Sequence, residues 1–297
     1  MNIDYLRLFI RLASTHNISQ AGQELGLSPA VASAHINKLE ESVGARLVHR
    51  TTRKVSLTQE GEAFLPHAEN VVDSVELAKA SIGGQGALAS GTLRVTAPSS
   101  FGRMHLLPAM NAFMEQNPEL SVDLRFSDSI VDLVDGGFDV AIRNAELKDS
   151  SLIAKKLAPD HRIICASPDY LAKYGTPDSP QALKDHQCIR ITGIDHWDFK
   201  TANGDISIKI TGKIRSDNGD AIRELCMAGH GITMSSTWSV YQQIKSGELV
   251  EILQQTPYQS DTAIWVLYPS SRLVAPKVRA FIDFFSDYFG TPPYWDL

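Results

Sequence analysis

Residues 21–61 read AGQELGLSPAVASAHINKLEESVGARLVHRTTRKVSLTQEG, and this stretch decides how the N-terminal part of the chain folds. It predicts a short helix ended by Gly26, then a second helix capped by Ser28 with Pro29 at its first position. Two short helices around a Gly-containing turn are typical of a helix-turn-helix. Residues 43–58 then predict a turn and a cationic β-hairpin, the wing of a winged helix.

A further amphipathic helix precedes this stretch. Its apolar residues recur at helical spacing and are Leu6, Phe9, Ile10 and Ala13. We expect Ser19 to cap the next helix, and Ala21 and Leu25 to face inward from it. The order helix, helix, Gly turn, capped helix and basic hairpin favours DNA binding more than the helix pair does alone, since any two amphipathic helices around a glycine resemble a helix-turn-helix.

The predicted DNA contacts fall on the second helix of this motif and on the wing. A helix in the major groove reads base edges through Ser and Asn and meets thymine methyl groups with Ala or Pro. The helix candidates are Ser28, Pro29, Ala30, Ser33, Ala34, Asn37 and Lys38. The wing candidates, suited to phosphates or a narrow minor groove, are Arg50, Thr51, Arg53 and Lys54.

The charge distribution supports a nucleic-acid-binding segment inside an acidic chain. The whole protein has 297 residues and a formal net charge of −6, which taken alone argues against a polyanionic partner. Residues 1–57, however, hold seven Lys or Arg against four Asp or Glu, a net charge of +3, so the remainder carries −9. This asymmetry is typical of a small polyanion-binding module joined to a larger acidic domain.

A long helix is predicted next, from Thr58 to about Ile82. Its apolar residues keep a heptad spacing and are Phe64, Ala68, Val71, Val75, Ala78 and Ile82. A helix with such a seam needs a partner, which favours dimerisation. The alternative is packing on its own domain. Pro66 is expected to bend the helix or leave a carbonyl unpaired.

From Gly91 onward, β-rich runs alternate with amphipathic helices. Strand–helix–strand repeats predict a mostly parallel α/β fold, and two sets of strands with one returning strand predict two lobes around a cleft. We therefore expect three parts: a winged helix-turn-helix at 1–57, a linker helix and hinge at 58–90, and a two-lobed domain at 91–297. Lobe I covers about 91–161 and 267–297, and lobe II about 162–266.

A ligand in such a cleft binds beyond the carboxyl ends of strands. Polar side chains at these ends can hold a carboxylate or another polar group, and an arginine can pair with an acidic ligand. The candidates are Ser99, Ser100, Phe101, Ser127, Arg143, Asn218 and Ser236. The alternatives are that Ser99 only caps a helix and that Arg143 pairs with an acid such as Asp139.

Other classes of protein fit the sequence poorly. It contains no Gly-x-Ser-x-Gly, His-Glu-x-x-His, P-loop or Gly-x-Gly-x-x-Gly, so we expect neither catalytic nor metal-binding residues and no cofactor. The three cysteines, Cys165, Cys188 and Cys226, are scattered, and we expect reduced, buried thiols. No apolar run is long enough to span a membrane, and residues 1–7 lack a secretory pattern, so a cytoplasmic location is expected.

Residues 1–65 resemble the N-terminal domain of the LysR-type transcriptional regulators, on a motif of about forty ordered positions within 21–40 and 44–61 that needs no insertion or deletion. The C-terminal part resembles the effector-binding domain of that family, which is similar to periplasmic solute-binding proteins; residues 138–143 and 166–171 resemble its CrgA-like branch. Gly22 and Ala34 depart from the family pattern, which has alanine at the first position and commonly a basic residue at the second.

The resemblance implies a regulator controlled by an unidentified small-molecule effector. It also implies self-association as a dimer or tetramer through the linker helix, pseudo-palindromic promoter sites in double-stranded DNA, and contact with RNA polymerase. The alternative is a small-solute-binding protein without a DNA-dependent function. It would need a signal peptide and no helix-turn-helix, and the sequence meets neither expectation.

Overall fold

The computed structural model describes residues 1–50, 55–82, 89–129, 137–145, 152–201, 204–269 and 274–297. The chain divides into two compact units. The first is Met1–Thr92 with two short segments of the later chain, and we call it the head. The second holds nearly all the rest and is called the regulatory unit.

The head is a winged helix followed by one long helix. Three helices enclose a core of buried apolar side chains, among them Leu6, Phe9, Ala32, Ile36 and Leu39, and a two-stranded antiparallel hairpin follows. The elements are α1 (Ile3–Thr15), α2 (Ile18–Glu24), α3 (Pro29–Val43), β1 (Val48–Arg50), β2 (Val55–Leu57) and α4 (Gln59–Ile82).

Two local expectations about α2 are wrong. Asn17 caps this helix, not Ser19, because the Asn17 side chain accepts a hydrogen bond from the backbone N–H of Gln20. Leu25 lies past the last helical residue and is 41% exposed, so it does not face the core. Ser28 does cap α3, with Pro29 at the start of the helix as predicted.

Lobe I of the regulatory unit is built on a five-stranded sheet of order β4-β3-β5-β14-β6. After β3, α5 continues through a π-helical turn (Gly102–Leu106) and a 3-10 turn (Leu107–Ala109) into α6. The elements are β3 (Gly91–Ala97), α5 (Ser99–Phe101), α6 (Met110–Gln116), β4 (Leu120–Phe126), β5 (Val140–Ala145), β6 (Leu152–Pro159), β14 (Ala263–Pro269) and α10 (Pro276–Phe289). The sequence pattern also predicts a short helix at 130–134, which lies outside the described residues.

Lobe II has a second five-stranded sheet of order β11-β8-β12-β7-β13 and a separate β9–β10 hairpin. Trp197 and Phe199 of that hairpin are buried in the core of the lobe. The elements are β7 (Arg162–Ala166), α7 (Pro168–Tyr174), β8 (Cys188–Ile191), β9 (His196–Thr201), β10 (Gly204–Lys209), β11 (Ile214–Ser216), α8 (Gly219–Met227), β12 (Ile232–Ser236), α9 (Thr237–Ser246) and β13 (Val250–Ile252).

The two sheets are mixed, so the expectation of mostly parallel strands is wrong. β3 runs parallel to β5, and β8 runs parallel to β11 and β12. β14 is antiparallel to both β5 and β6, and β7 is antiparallel to both β12 and β13. The antiparallel strands are those next to the two chain crossings between the lobes. β14 begins at Ala263, ahead of the boundary predicted at residue 267.

Asp160 joins these two crossings. Its carboxylate is buried and accepts hydrogen bonds from Arg162 Nε (3.2 Å) and from Thr262 Oγ1 (2.7 Å). Arg162 begins the first strand of lobe II, and Thr262 directly precedes β14. The two crossings between the lobes are therefore tied by the hydrogen bond from Thr262 to the buried Asp160 carboxylate.

Candidate DNA interface and effector cleft

The helix α3 presents a polar face outward. Ala32, Ile36 and Leu39 are buried against the rest of the head. On the other side all predicted contact residues except Ser33, which is half-buried, are exposed: Ser28, Pro29, Ala30, Ala34, Asn37 and Lys38. Val31 is also 42% exposed beside them and adds an apolar side chain to this face. This exposed face is therefore accessible to a groove of DNA.

Close packing with α2 sets the position of α3. A Cβ atom added at Gly22 would lie 2.7 Å from the Cβ of Ala32, closer than real Cβ contacts allow. The glycine that departs from the family pattern therefore permits a tighter approach of the two helices. Glycine costs a helix about 1 kcal/mol of stability relative to alanine, and the close packing of α2 against α3 explains why a glycine stands here.

Glu40 ties the wing to α3. Its side chain is buried, and Oε1 accepts the backbone N–H groups of Leu47 (2.8 Å) and Val48 (3.1 Å) at the start of β1. Gly61 of α4 closes on the same segment, since a Cβ added there would overlap the Leu47 carbonyl oxygen. The base of the wing is thus held by a carboxylate on one side and by a glycine contact on the other.

The predicted basic tip of the wing falls largely outside the described residues. Arg50 ends β1, while Thr51, Arg53 and Lys54 belong to the part that is not described. β1 and β2 pair in antiparallel register from Val48 opposite Leu57 to Arg50 opposite Val55. The two strands that flank the predicted tip therefore form the hairpin expected from the sequence.

Part of the predicted dimer seam belongs to the head itself. Ala68 is 1% exposed within the head core, and the Phe64 ring packs against Phe9 with centroids 5.8 Å apart. Ala68 as a dimer contact is therefore wrong, because its side chain is already buried within one chain, whereas Phe64 is half-buried and its part in dimerisation stays a prediction. Val71 (39% exposed) and Ala78 are exposed and Val75 is half-buried, while the Ile82 side chain lies outside the described part. Pro66 stands inside a helix that continues to Ile82.

Residues from the two lobes meet at the predicted cleft. Asn218 Nδ2 donates to Asp128 Oδ2 at 2.8 Å, and the Ser99 backbone N–H donates to Asp128 Oδ1 at 2.8 Å. Farther along the sequence, Asn144 Nδ2 lies 3.4 Å from Ser236 Oγ. Asn218 and Ser236 thus reach across to lobe I as expected, but the partner of Asn218 is a carboxylate of the protein.

Arg143 has unsatisfied hydrogen-bonding capacity. Its Nη1 donates to the Ile142 carbonyl oxygen (2.8 Å), whereas its Nη2 is buried and has no hydrogen-bond partner among the described residues. Burial lowers the pKa of its guanidinium below the usual value. The alternative pairing with Asp139 is not seen in the described region, where Asp139 accepts the N–H of Arg94 (2.8 Å).

Several neutral polar atoms near these strand ends are buried in the same way. Among those that lack a hydrogen-bond partner in the described ranges are Ser100 Oγ, Asn144 Oδ1 and Thr237 Oγ1. Buried polar groups are nearly always paired in native proteins, so such a set indicates a place where a polar ligand or water completes the bonding. Asn144 and Thr237 were missed from the sequence, although each adjoins a predicted residue.

Two of the predicted cleft residues have other tasks. The Ser127 hydroxyl accepts the N–H of Ser129 (3.2 Å) and so shapes a local turn. Phe101 is fully buried, and its ring contacts His105, Trp238 and Phe289 at centroid distances of 4.9, 5.2 and 5.7 Å. Phe101 as an effector contact is therefore wrong: it belongs to an aromatic core that joins the lobes.

His105 is the polar centre of that aromatic core. Its Nε2 lies 3.1 Å from the carbonyl oxygen of Trp238 and its Nδ1 lies 2.6 Å from the Tyr294 hydroxyl. A carbonyl only accepts, so Nε2 carries the proton and Nδ1 accepts from Tyr294. Burial lowers the pKa of His105 to about 4, which keeps the ring neutral.

The cysteines lie inside the regulatory unit. All three thiols are buried, and burial raises the pKa of Cys188 to about 12. In the part of the chain that is described, no group of three or more His, Cys, Asp or Glu side chains is arranged to hold a metal ion. In the same part, no helix combines the length and the apolar character needed to cross a membrane.

A winged helix-turn-helix with an exposed polar reading face, joined by one long helix to a two-lobed α/β domain, defines a DNA-binding regulator with a ligand-sensing domain. Residues 3–62 match the family model described as bacterial regulatory helix-turn-helix protein, lysR family. Residues 86–290 match the model described as LysR substrate binding domain. The chain belongs to the LysR family of transcriptional regulators, and it is therefore a regulator and not an enzyme.

Individual relatives agree over nearly the whole chain. The HTH-type transcriptional regulator DmlR of Escherichia coli is 34% identical over 96% of this chain and 94% of its own length. The structure of CrgA from Neisseria meningitidis is 30% identical with a TM-score of 0.62, covering 97% of this chain and 98% of that one. The full-length AphB of Vibrio cholerae is 29% identical with a TM-score of 0.60, covering 97% and 99%.

Proposed function

We propose that this regulator binds pseudo-palindromic sites in double-stranded DNA through α3 and the wing, as a dimer or tetramer. The observation that carries the proposal is the exposed polar face of α3 beside a wing anchored by Glu40. Base contacts come from the α3 residues Ser28, Pro29, Ala30, Ser33, Ala34, Asn37 and Lys38. Phosphate contacts come from Arg50, Thr51, Arg53 and Lys54.

Self-association is proposed for the exposed part of α4. Val71, Val75, Ala78 and Ile82 continue the heptad spacing beyond the residues that the head covers itself. Two heads joined in this way meet two half-sites, which is why the sites are expected to be pseudo-palindromic. The protein then acts on RNA polymerase at promoters in the cytoplasm.

The effector is a small molecule, which we place between the two lobes. Arg143 Nη2, Ser100 Oγ and Asn144 Oδ1 support this position, because their bonding is completed by no described residue. Ser99, Ser127, Asn218 and Ser236 border the same strand ends. A buried guanidinium favours an anionic group, so small carboxylates are the first class to test. Effector binding shifts the population of lobe arrangements and thereby alters the affinity of the heads for DNA.

A thermal-shift screen of small carboxylates and aromatic acids on the full chain tests the effector site. A compound that raises Tm of the wild type should lose this effect in Arg143→Gln and in Ser100→Ala. Arg125→Gln is the matched control, since Arg125 is an exposed arginine of the same lobe paired with Asp123. The proposed site is contradicted if a compound raises the Tm of both Arg143→Gln and Ser100→Ala as much as it raises the Tm of the wild type.

A further inference from the structure

The first residues of α8 contact lobe I at three points. Asn218 Nδ2 donates to Asp128, Asp220 forms an ion pair with Arg103, and a Cβ added at Gly219 would lie 3.4 Å from Ser100 Oγ. Asn218, Gly219 and Asp220 belong to lobe II, while their partners belong to lobe I. One short segment therefore bridges the two sheets of the regulatory unit.

Asp128 accepts two donors in this bridge, one from each lobe. Its Oδ1 takes the Ser99 backbone N–H and its Oδ2 takes the Asn218 amide, both at 2.8 Å. The orientation of Asn218 is set independently, because its Oδ1 caps α8 by accepting the N–H of Ala221 (3.0 Å). Its NH₂ group must then face Asp128. The two carboxylate oxygens of Asp128 thus each accept one donor of this pair.

The bridge is exposed at Asp128, in contrast to two buried contacts between the lobes. Asp128 is an exposed residue, whereas the ring contact of Phe101 with Trp238 and the His105 bond to Trp238 are buried. Water competes for the donor and acceptor of a hydrogen bond that is exposed to solvent, so such a bond contributes only a small net free energy. The Asp128 contact therefore costs less free energy to break than the buried contacts.

We propose that Asp128 and Asn218 form a strap that biases the lobes toward the closed arrangement before any effector binds. Asp128 occupies the Ser99 and Asn218 donors that would otherwise take an effector carboxylate. An effector must therefore either displace the strap or place its anionic group elsewhere in the cleft. This last consequence rests on the proposed effector site, but the strap itself does not.

Reciprocal substitution isolates the strap. Asp128→Asn removes one acceptor, and Asn218→Asp keeps a capping oxygen for Ala221 but sets a carboxylate against Asp128. In the double variant, the new amide at position 128 can accept from Ser99 and donate to the new carboxylate at position 218, so the pair is restored with its roles exchanged. Asp123→Asn is the control, because Asp123 pairs with Arg125 within the same strand.

The measurement is the distance between spin labels on the two lobes, by pulsed electron paramagnetic resonance without effector. Labels at Glu115→Cys in α6 and Lys245→Cys in α9 lie on exposed positions of lobes I and II, and the three native cysteines are buried. We expect the ratio of open to closed distances to rise about threefold in each single variant. The double variant should return to within the wild-type spread.

Two outcomes overturn the strap. One is that the single variants match Asp123→Asn, and the other is that the double variant is at least as open as the two single variants. Neither outcome depends on an effector or on DNA. Loss of the thermal-shift response in Arg143→Gln is measured separately, so a failed strap and a failed effector site give different results.

Discussion

Glu40 offers the sharpest test of how the head is held together. Glu40→Ala leaves the buried N–H groups of Leu47 and Val48 without their acceptor. At about 1 to 3 kcal/mol for each of the two unsatisfied groups, the head should lose about 2 to 6 kcal/mol of stability. Glu40→Gln keeps an acceptor oxygen and loses only the charge assistance, about 1 kcal/mol. Glu41→Ala is the matched control, because Glu41 is the exposed neighbour on the same helix.

The distribution of tryptophan lets one urea titration report on the two units separately. All four Trp residues, at 197, 238, 265 and 295, belong to the regulatory unit, so their fluorescence follows that unit alone. Circular dichroism at 222 nm also follows the helices of the head. With a slope of about 1 kcal/mol/M for so small a unit, Glu40→Ala should lower the midpoint of the head transition by about 2 M or more. The fluorescence transition should stay in place.

The reasoning about Glu40 is refuted if Glu40→Ala and Glu41→Ala unfold alike. It is also refuted if the fluorescence transition shifts as far as the helical one. Hydrogen exchange of a peptide covering residues 45–50 gives a local check, since protection at Leu47 and Val48 should fall only in the Glu40 variants.

Three further predictions concern the wing, the seam and the aromatic core. Arg53→Ala should weaken DNA binding across all sequences and lower the slope of log affinity against log salt by about 1 in fluorescence anisotropy, and an unchanged slope would remove Arg53 from the phosphates. Val71→Asp should convert the oligomer to monomers with the head intact, whereas Ala68→Asp should unfold the head because Ala68 is buried. Light scattering measures the mass and circular dichroism measures the folding of the head. An unchanged mass for Val71→Asp would exclude this seam. The pKa of His105 is about 4 in the folded state and near 6.5 in the unfolded state, so the unfolded state binds more protons and the free energy of unfolding falls as pH drops from 6.5 toward 4. By pH 5 the loss of stability is about 2 kcal/mol. An equal loss in a His105→Gln variant would contradict the assignment of this loss to His105.

The helices and caps of the head could be predicted because their signals are local. Ser28 and Pro29 stand at the start of α3 as expected, and Thr58 caps α4 by accepting the N–H of Gly61 (2.9 Å). The division of the α4 seam could not be predicted, since heptad spacing reports which face is apolar and not what covers it. Ala68 satisfies the same spacing as Val71 but lies in the head core, and Phe64 packs partly against that core.

The position of the cleft between the lobes could be predicted from the sequence better than the side-chain contacts within it. Residues at strand ends were expected there, and Asn218 and Ser236 do reach across to lobe I. Asp128 was missed because its partners are distant in sequence, and Phe101 was misassigned because burial in an aromatic core depends on packing between the lobes. The strands β6, β9, β11 and β13 and the helix α9 were not predicted. β9, β11 and β13 have only three to six residues and so carry little periodicity, and the helix carries no cap signal strong enough to set it apart.

The central claim is that α3 reads base sequence in the major groove, and selection from a random duplex library tests it most directly. The full-length wild type should enrich an inverted repeat, and Ser33→Ala should enrich a site altered at bases related by the same two-fold symmetry. Glu41→Ala, on the exposed C-terminal part of α3, should enrich the wild-type site. No enriched site for the wild type, or identical sites for wild type and Ser33→Ala, would contradict the assignment of α3 as the reading helix.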